Sequence, residues 1–219
     1  MKRFLCLLSV TTMLLACGQP QLEDSVYQLD LCVAVNDGTQ NAWLRMDNGG
    51  KLYPTRDLSQ DVQDGARYKI HYCRQGNEAD DSTAFQADVL ELYPIEVIPM
   101  ISALDSLESQ LKRDPLAIDR FWLGGGYVNA TLSFFRSDQE TEHTIRLVRE
   151  SLADSVLTLD LMHFSHDDEP QYETSATLSF PLESIKEYPD VHTLGIRVAI
   201  SENGNTVLKT YLLEGGCAY

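Results

Sequence analysis

The chain has 219 residues, with 33 Asp and Glu against 17 Lys and Arg, a formal net charge of −16. So acidic a chain, with no basic stripe to offset the charge, repels phosphate backbones and excludes nucleic acid as a partner. Its length suits one large or two small folded domains, and the evenly spread charge marks a solvated acidic surface.

The first element is a leader. Lys2 and Arg3 precede an apolar stretch from Phe4 to Ala16, too short to span a bilayer and of the right length for the core of a secretory signal. It ends in Leu14-Leu15-Ala16-Cys17, which resembles the lipobox of bacterial lipoproteins, where the thiol receives a diacylglycerol and the chain is cut before the cysteine. Residues 1–16 are therefore expected to be a signal peptide, Cys17 the lipidated residue and residues 17–24 a polar tether containing Pro20. Two or three acyl chains anchor stably where one does not, so the partner expected at this end is a membrane. Gly18 in place of Asp after the cysteine favours the outer membrane and leaves its periplasmic or surface face undetermined.

From Val26 the apolar residues recur with period two, as half-buried strands require. Asn36-Asp37-Gly38-Thr39 and Asp47-Asn48-Gly49-Gly50 supply residues that tolerate positive φ in tight turns. The second turn predicts a hairpin joining Ala42–Met46 to Lys51–Tyr53, and strands follow near 66–73 and 84–97. Several short strands without a strong helix predict a small barrel over 25–98. Over 99–114, Ile101, Leu104, Leu107 and Leu111 recur at helical spacing, which predicts a linker with a short helix. From 115 to 215 the alternation is clearest: Val128, Ala130, Leu132 and Phe134 share one face with Asn129, Thr131 and Ser133 opposite, and Leu157, Leu159 and Leu161 do the same. One dry and one wet face per strand predicts an antiparallel β-sandwich, so the fold class is all-β.

In Leu29–Val35 the apolar face belongs to Leu29, Leu31, Val33 and Val35, which puts Cys32 on the other; Cys73 shares a face with Lys69 and His71. Two cysteines on the less apolar faces of strands, in an oxidising compartment, predict a Cys32–Cys73 disulfide worth about 3–4 kcal/mol in the loop-entropy view. Cys217 is expected to be an unpaired tail residue.

Candidate chemistry is sparse. His163 and His166, followed by Asp167, Asp168 and Glu169, have the right residue types for a metal, but strand positions three apart face opposite ways, so no metal site is expected. Gly124-Gly125-Gly126 precedes a strand rather than a helix and so is not a phosphate loop; it is expected to permit a sharp turn or close backbone approach beside Trp122. No nucleophile motif is visible, and no cofactor is implied. Trp43, Tyr53, Tyr68 and Tyr72 are the candidate ligand surface, with core and hairpin packing as the competing reading. Asp24-Ser25-Val26, Asp81-Ser82-Thr83, Asp105-Ser106-Leu107 and Asp154-Ser155-Val156 resemble short bacterial O-glycosylation signals.

Asp114-Pro115-Leu116-Ala117-Ile118 followed by Trp122-Leu123-Gly124-Gly125-Gly126-Tyr127-Val128-Asn129 resembles the start of the second domain in NigD-like lipoproteins. Leu52-Tyr53-Pro54, Leu161-Met162-His163 and the closing hairpin resemble the same family, so the likeness covers the whole chain after the leader. The resemblance implies an N-terminal OB-like barrel and a C-terminal β-sandwich in a lipoprotein of Gram-negative anaerobes, with a bacteriocin-immunity role suggested for the family. It carries no catalytic residue or ligand. Three functions compete: a non-catalytic envelope protein binding a protein or glycan, a structural accessory of an envelope complex, and a hydrolase using dispersed carboxylates.

Overall fold

A computed structural model describes residues 27–38, 41–76, 83–102, 112–138, 140–185 and 191–214. The leader, Cys17 and Cys217 lie outside these residues, as does most of the segment expected to hold a short helix.

The first five strands, β1 (Tyr27–Val35), β2 (Trp43–Met46), β3 (Lys51–Pro54), β4 (Arg67–Arg74) and β5 (Ala84–Pro94), close into a barrel in the order β1-β2-β3-β5-β4. All neighbours are antiparallel except β3 and β5. The Asp47–Gly50 turn joins β2 to β3 as expected, with Gly49 at φ +86°. Closure removes the sheet edges that an open five-stranded sheet would expose. The barrel core holds Cys32, Ala34, Leu44, Met46, Leu52, Tyr68, Ile70 and Tyr72.

The strand faces of β1 are therefore the reverse of the sequence expectation. Cys32 and Ala34 point inward, while Leu31 and Val33 are buried outside the barrel core and Leu29 is largely exposed. The expected Cys32–Cys73 disulfide is not formed, and both thiols are free. Along the β1–β4 ladder Cys32 pairs with Tyr68 and Cys73 with Tyr27. The two cysteines are thus five rungs apart, about 16 Å at strand rise, and one faces the core while the other faces out.

The second half is a two-sheet sandwich. One sheet runs β14 (Asn205–Glu214), β13 (Thr193–Glu202), β11 (Val156–Phe164), β10 (Thr144–Ala153) and β7 (Ile101–Ser102). The other runs β6 (Glu96–Val97), β12 (Tyr172–Pro181), β9 (Tyr127–Arg136) and β8 (Ala117–Gly124). Val128, Leu132, Leu147, Leu159, Phe180, Leu194 and Ile196 interdigitate between them, the alternation seen in the sequence. Pairing is not wholly antiparallel: β6–β12, β7–β10 and β11–β13 are parallel. The first two arise because the connector between the domains lends one short strand to each sheet. Ile98, between those strands, is buried in the sandwich core.

Candidate functional site

The two domains meet around one arginine. Arg67 opens β4 on the barrel's outer face, opposite Val33, and its side chain is fully buried. Nη2 donates to Asp47 Oδ2 at 2.6 Å and to Asn129 Oδ1 at 2.9 Å, while Nε donates to Ser179 Oγ at 2.7 Å. Ser179 Oγ in turn donates to Asn129 Oδ1 at 2.7 Å, and the guanidinium lies 4.1 Å over the Tyr127 ring. Asp47 comes from the barrel's β2–β3 turn; Asn129, Ser179 and Tyr127 come from the sandwich. The alternation of β9 and β12 explains the buried polar pair: Asn129 and Ser179 sit opposite each other on the sheet's outward face, which the barrel covers here.

This contact explains the triple glycine. A Cβ on Gly124 would lie 2.8 Å from Asp47 Oδ2, and one on Gly125 would lie 2.3 Å from Asp47 Oδ1. Gly125 also sits at φ +60°, and its amide donates to the Asp47 backbone carbonyl at 3.1 Å. The glycines thus admit a carboxylate against bare backbone. Asp47 Oδ1 and Arg67 Nη1 have no hydrogen-bond partner among the described residues.

Clefts open on either side of Asp47. One, of about 520 Å³, is lined by Arg45, Asn48, Gly126, Tyr127 and Glu183 among others. The second, of about 370 Å³, runs between Leu29, Leu31 and Lys69 of the barrel and Arg120, Trp122, Thr131 and Thr177 of the sandwich. Both fall in the size range of small-molecule sites.

The expected aromatic surface does not assemble. Tyr68 and Tyr72 point into the barrel core, where Tyr72 Oη contacts Asp30 Oδ2 at 2.9 Å and Gln28 Oε1 at 2.6 Å. Only Trp43 and Tyr53 remain together outside, with ring centroids 6.2 Å apart and Lys51 Nζ 5.3 Å over the indole. Period two decides this: Tyr68, Ile70 and Tyr72 share the inward face of β4. Trp122 and Arg120, on the cleft, were not among the candidates.

His163 and His166 have separate partners, but not through strand alternation, because β11 ends at Phe164 and His166 lies in the turn beyond it at φ +56°. His166 Nε2 meets Thr144 Oγ1 at 2.8 Å and its ring stacks on Phe164. His163 instead meets a histidine the sequence did not single out: its Nε2 is 2.9 Å from His143 Nδ1, and His143 Nε2 is 3.0 Å from Asp168 Oδ2. Ser137 donates both its amide and its hydroxyl to Asp168. An ionised Asp168 makes His143 Nε2 the donor, so His143 Nδ1 accepts from His163 Nε2. His163 Nδ1 is left near the Asp114 backbone carbonyl without a well-formed hydrogen bond. Burial, then the neighbouring His143, brings the His163 imidazole down to about 4. The Ser137 and His143 hydrogen bonds hold the Asp168 carboxyl at about 2. All three side chains are almost wholly buried, so the array braces the end of the sandwich rather than meeting a substrate. No group of three or more His, Cys, Asp or Glu side chains among the described residues is arranged to hold a metal ion.

A third buried carboxylate, Asp160, lies on the outward face of the other sheet. It accepts from Arg197 Nε at 2.5 Å and Nη2 at 2.7 Å, and from Arg113 Nη2 at 2.6 Å. Burial opposes its ionisation, yet the two guanidiniums hold its carboxyl below the usual range. Of the Asp-Ser motifs, only Asp154-Ser155-Val156 lies wholly within the described residues. Its Asp and Ser form the exposed β10–β11 turn at φ 49° and 62°.

No curated protein matches the sequence. Among solved structures, a DUF1344 protein of unknown function from Bacteroides vulgatus superposes with a TM-score of 0.71 at 16% identity, over 87% of this chain and 91% of that one. A NigD-like immunity protein from Bacteroides caccae superposes with a TM-score of 0.62 at 19% identity, over 87% of this chain and 97% of that one. At such identities these likenesses concern the fold. The family assignment rests on sequence: residues 97–212, more than half of the chain, match the NigD-like C-terminal β-sandwich domain, and the chain belongs to that NigD-like family.

Proposed function

We propose that this protein is a non-catalytic binding protein of the cell envelope, lipid-anchored through Cys17, that offers the cleft between its domains to a protein or glycan partner. The observation that carries this reading is the buried Arg67 contact, which fixes barrel and sandwich as two walls of a preformed cleft. A preformed site avoids the ordering cost of assembling its walls on binding. The lipobox-like Leu14–Cys17 supports the anchor. The immunity protein from Bacteroides caccae, similar in fold, supports a toxin as one kind of protein partner.

The hydrolase reading loses ground at this cleft. Of its two carboxylates, Asp47 is engaged by Arg67 and Asp30 by Tyr72, so neither stands free as an acid–base pair. The test is cross-linked capture of the full-length chain from its host's envelope, with proteins and glycans identified by mass spectrometry. A stoichiometric partner, lost with Trp122→Ala, is expected. Absence of any partner together with turnover of an envelope glycan would replace this reading with an enzymatic one. Retention of a Cys17→Ser variant in the membrane fraction would remove the anchor.

A further inference from the structure

The 370 Å³ cleft carries Lys69, Arg120, Asp30 and Asp47 on its walls. Lys69 and Arg120 face it from opposite domains, and neither is paired with a carboxylate among the described residues. Elsewhere Arg67 is paired with Asp47, and Arg197 and the more exposed Arg113 with Asp160. Asp47 is offset by Arg67, so Lys69 and Arg120 face Asp30, which accepts from Tyr72, and leave the cleft net positive in a chain of 33 acidic and 17 basic residues.

Backbone geometry puts Arg120 there. The β8–β9 ladder slips between Ile118 and Arg120, a β-bulge at Asp119. Without it, Arg120 would share the face of Ile118 and point into the sandwich core. With it, Arg120 pairs with Thr131 and Trp122 with Asn129, both on the outward face. The guanidinium then lies 5.0 Å over the Trp122 indole, which steadies it without neutralising its charge. On the barrel side, β4 alternates Arg67, Lys69 and His71 outward, and the same alternation places Lys69 beside Leu31 at the cleft wall.

Apart from Asp30, Asp47 and Asn48, the remaining lining is hydroxyl and apolar. Thr131 and Thr177 lie across a strand pair with hydroxyls 3.4 Å apart, and Leu29, Leu31 and Trp122 supply apolar surface. We propose that this cleft binds an acidic saccharide, its carboxylate or sulfate paired by Arg120 and Lys69. The ring's C–H face lies against Trp122 and Leu29, and its hydroxyls bond to Thr131, Thr177 and Asn48. The volume holds about one or two sugar rings. This deepens the binding reading above and rests on it.

The test is a calorimetric titration of the full-length chain in detergent with trigalacturonic acid, a sulfated disaccharide, maltotriose and pentaglutamate. Saturable binding of one or both acidic saccharides is expected, with none of maltotriose or pentaglutamate. Arg120→Gln and Lys69→Gln should each weaken that binding by about tenfold at unchanged melting temperature. Arg56→Gln, exposed and outside the cleft lining, should not. Equal binding of pentaglutamate, indifference to both cleft variants, or no acidic-saccharide binding up to about 10 mM would overturn the proposal. If envelope capture still depends on Trp122 in that last case, the binding function stands and only the ligand class falls.

Discussion

Nη2 of Arg67 lies 2.6 Å from Oδ2 of Asp47, an ion pair made wholly within the barrel and enclosed by Asn129, Ser179 and Tyr127 of the sandwich. The second domain supplies the solvation that water would otherwise give. Arg67→Met should therefore leave Asp47 against glycine backbone without its counter-charge and cost about 3–5 kcal/mol. Thermal unfolding should change from one transition to two as the domains uncouple. A single transition at wild-type temperature would show that the pair does not join them.

The triple glycine separates steric from conformational demands. Gly125→Ala meets both, a Cβ 2.3 Å from Asp47 Oδ1 and a positive φ, and should cost at least about 3 kcal/mol. Gly126→Ala has φ +86° but open space, and should cost about 1–2 kcal/mol. Adding Asp47→Ala should recover part of the Gly125→Ala loss and none of the Gly126→Ala loss. Chemical denaturation of the wild type, the three single variants and the two double variants checks this.

The His143–His163–Asp168 array sets an acid limit. The folded imidazole of His163 is held at about 4 against 6.5 when free, so between those values the unfolded chain binds the extra proton. Its contribution, on the order of 2–3 kcal/mol, is complete above pH 6.5 and is lost as pH falls toward 4. Asp168 works lower, its contribution present above 3.8 and lost as pH falls toward 2. Melting temperature should fall between pH 6.5 and 4.5, and His163→Phe should flatten that slope while lowering stability at neutral pH. An equal slope in both chains would place the acid sensitivity elsewhere.

The cysteines give a chemical test of the β1 register. Burial pushes the Cys32 thiol up to about 12, with the Arg67 charge opposing. Cys32 should therefore resist iodoacetamide in the native chain and react only on unfolding, whereas the half-exposed Cys73 should react in the native chain. Peptide mapping should find both alkylated after denaturation, equally with and without reductant.

The sandwich was legible because its strands have one dry face each, and period two alone finds Val128, Ala130, Leu132 and Phe134. The faces of β1 were not, because both are buried: Cys32 and Ala34 fill the barrel while Leu31 and Val33 lie outside its core. Small inward residues beside large outward ones invert the usual pattern. The close backbone approach expected at Gly124–Gly126 is present, but the approaching group, Asp47, lies some 80 residues away in a turn that local pattern identifies only as a turn. His143 escaped notice for a similar reason. Its contact depends on the β10–β11 register, which sets Ile145 opposite His163, and no spacing rule joins residues across two strands. Arg120 needed a bulge to reach the cleft, and a one-residue slip leaves no compositional trace.

The connector that lends β6 to one sheet and β7 to the other has a mechanical consequence. On either side of β6, Ile95 donates to the Arg67 carbonyl at 2.8 Å and Ile98 to the Ser179 carbonyl at 2.9 Å, so residues three apart are stitched first to the barrel and then to the sandwich. A pull that separates the domains runs along this seam and loads its hydrogen bonds together, in shear, rather than peeling them one by one. Tension that separates the two domains is thus borne by the short run from Ile95 to Ile98.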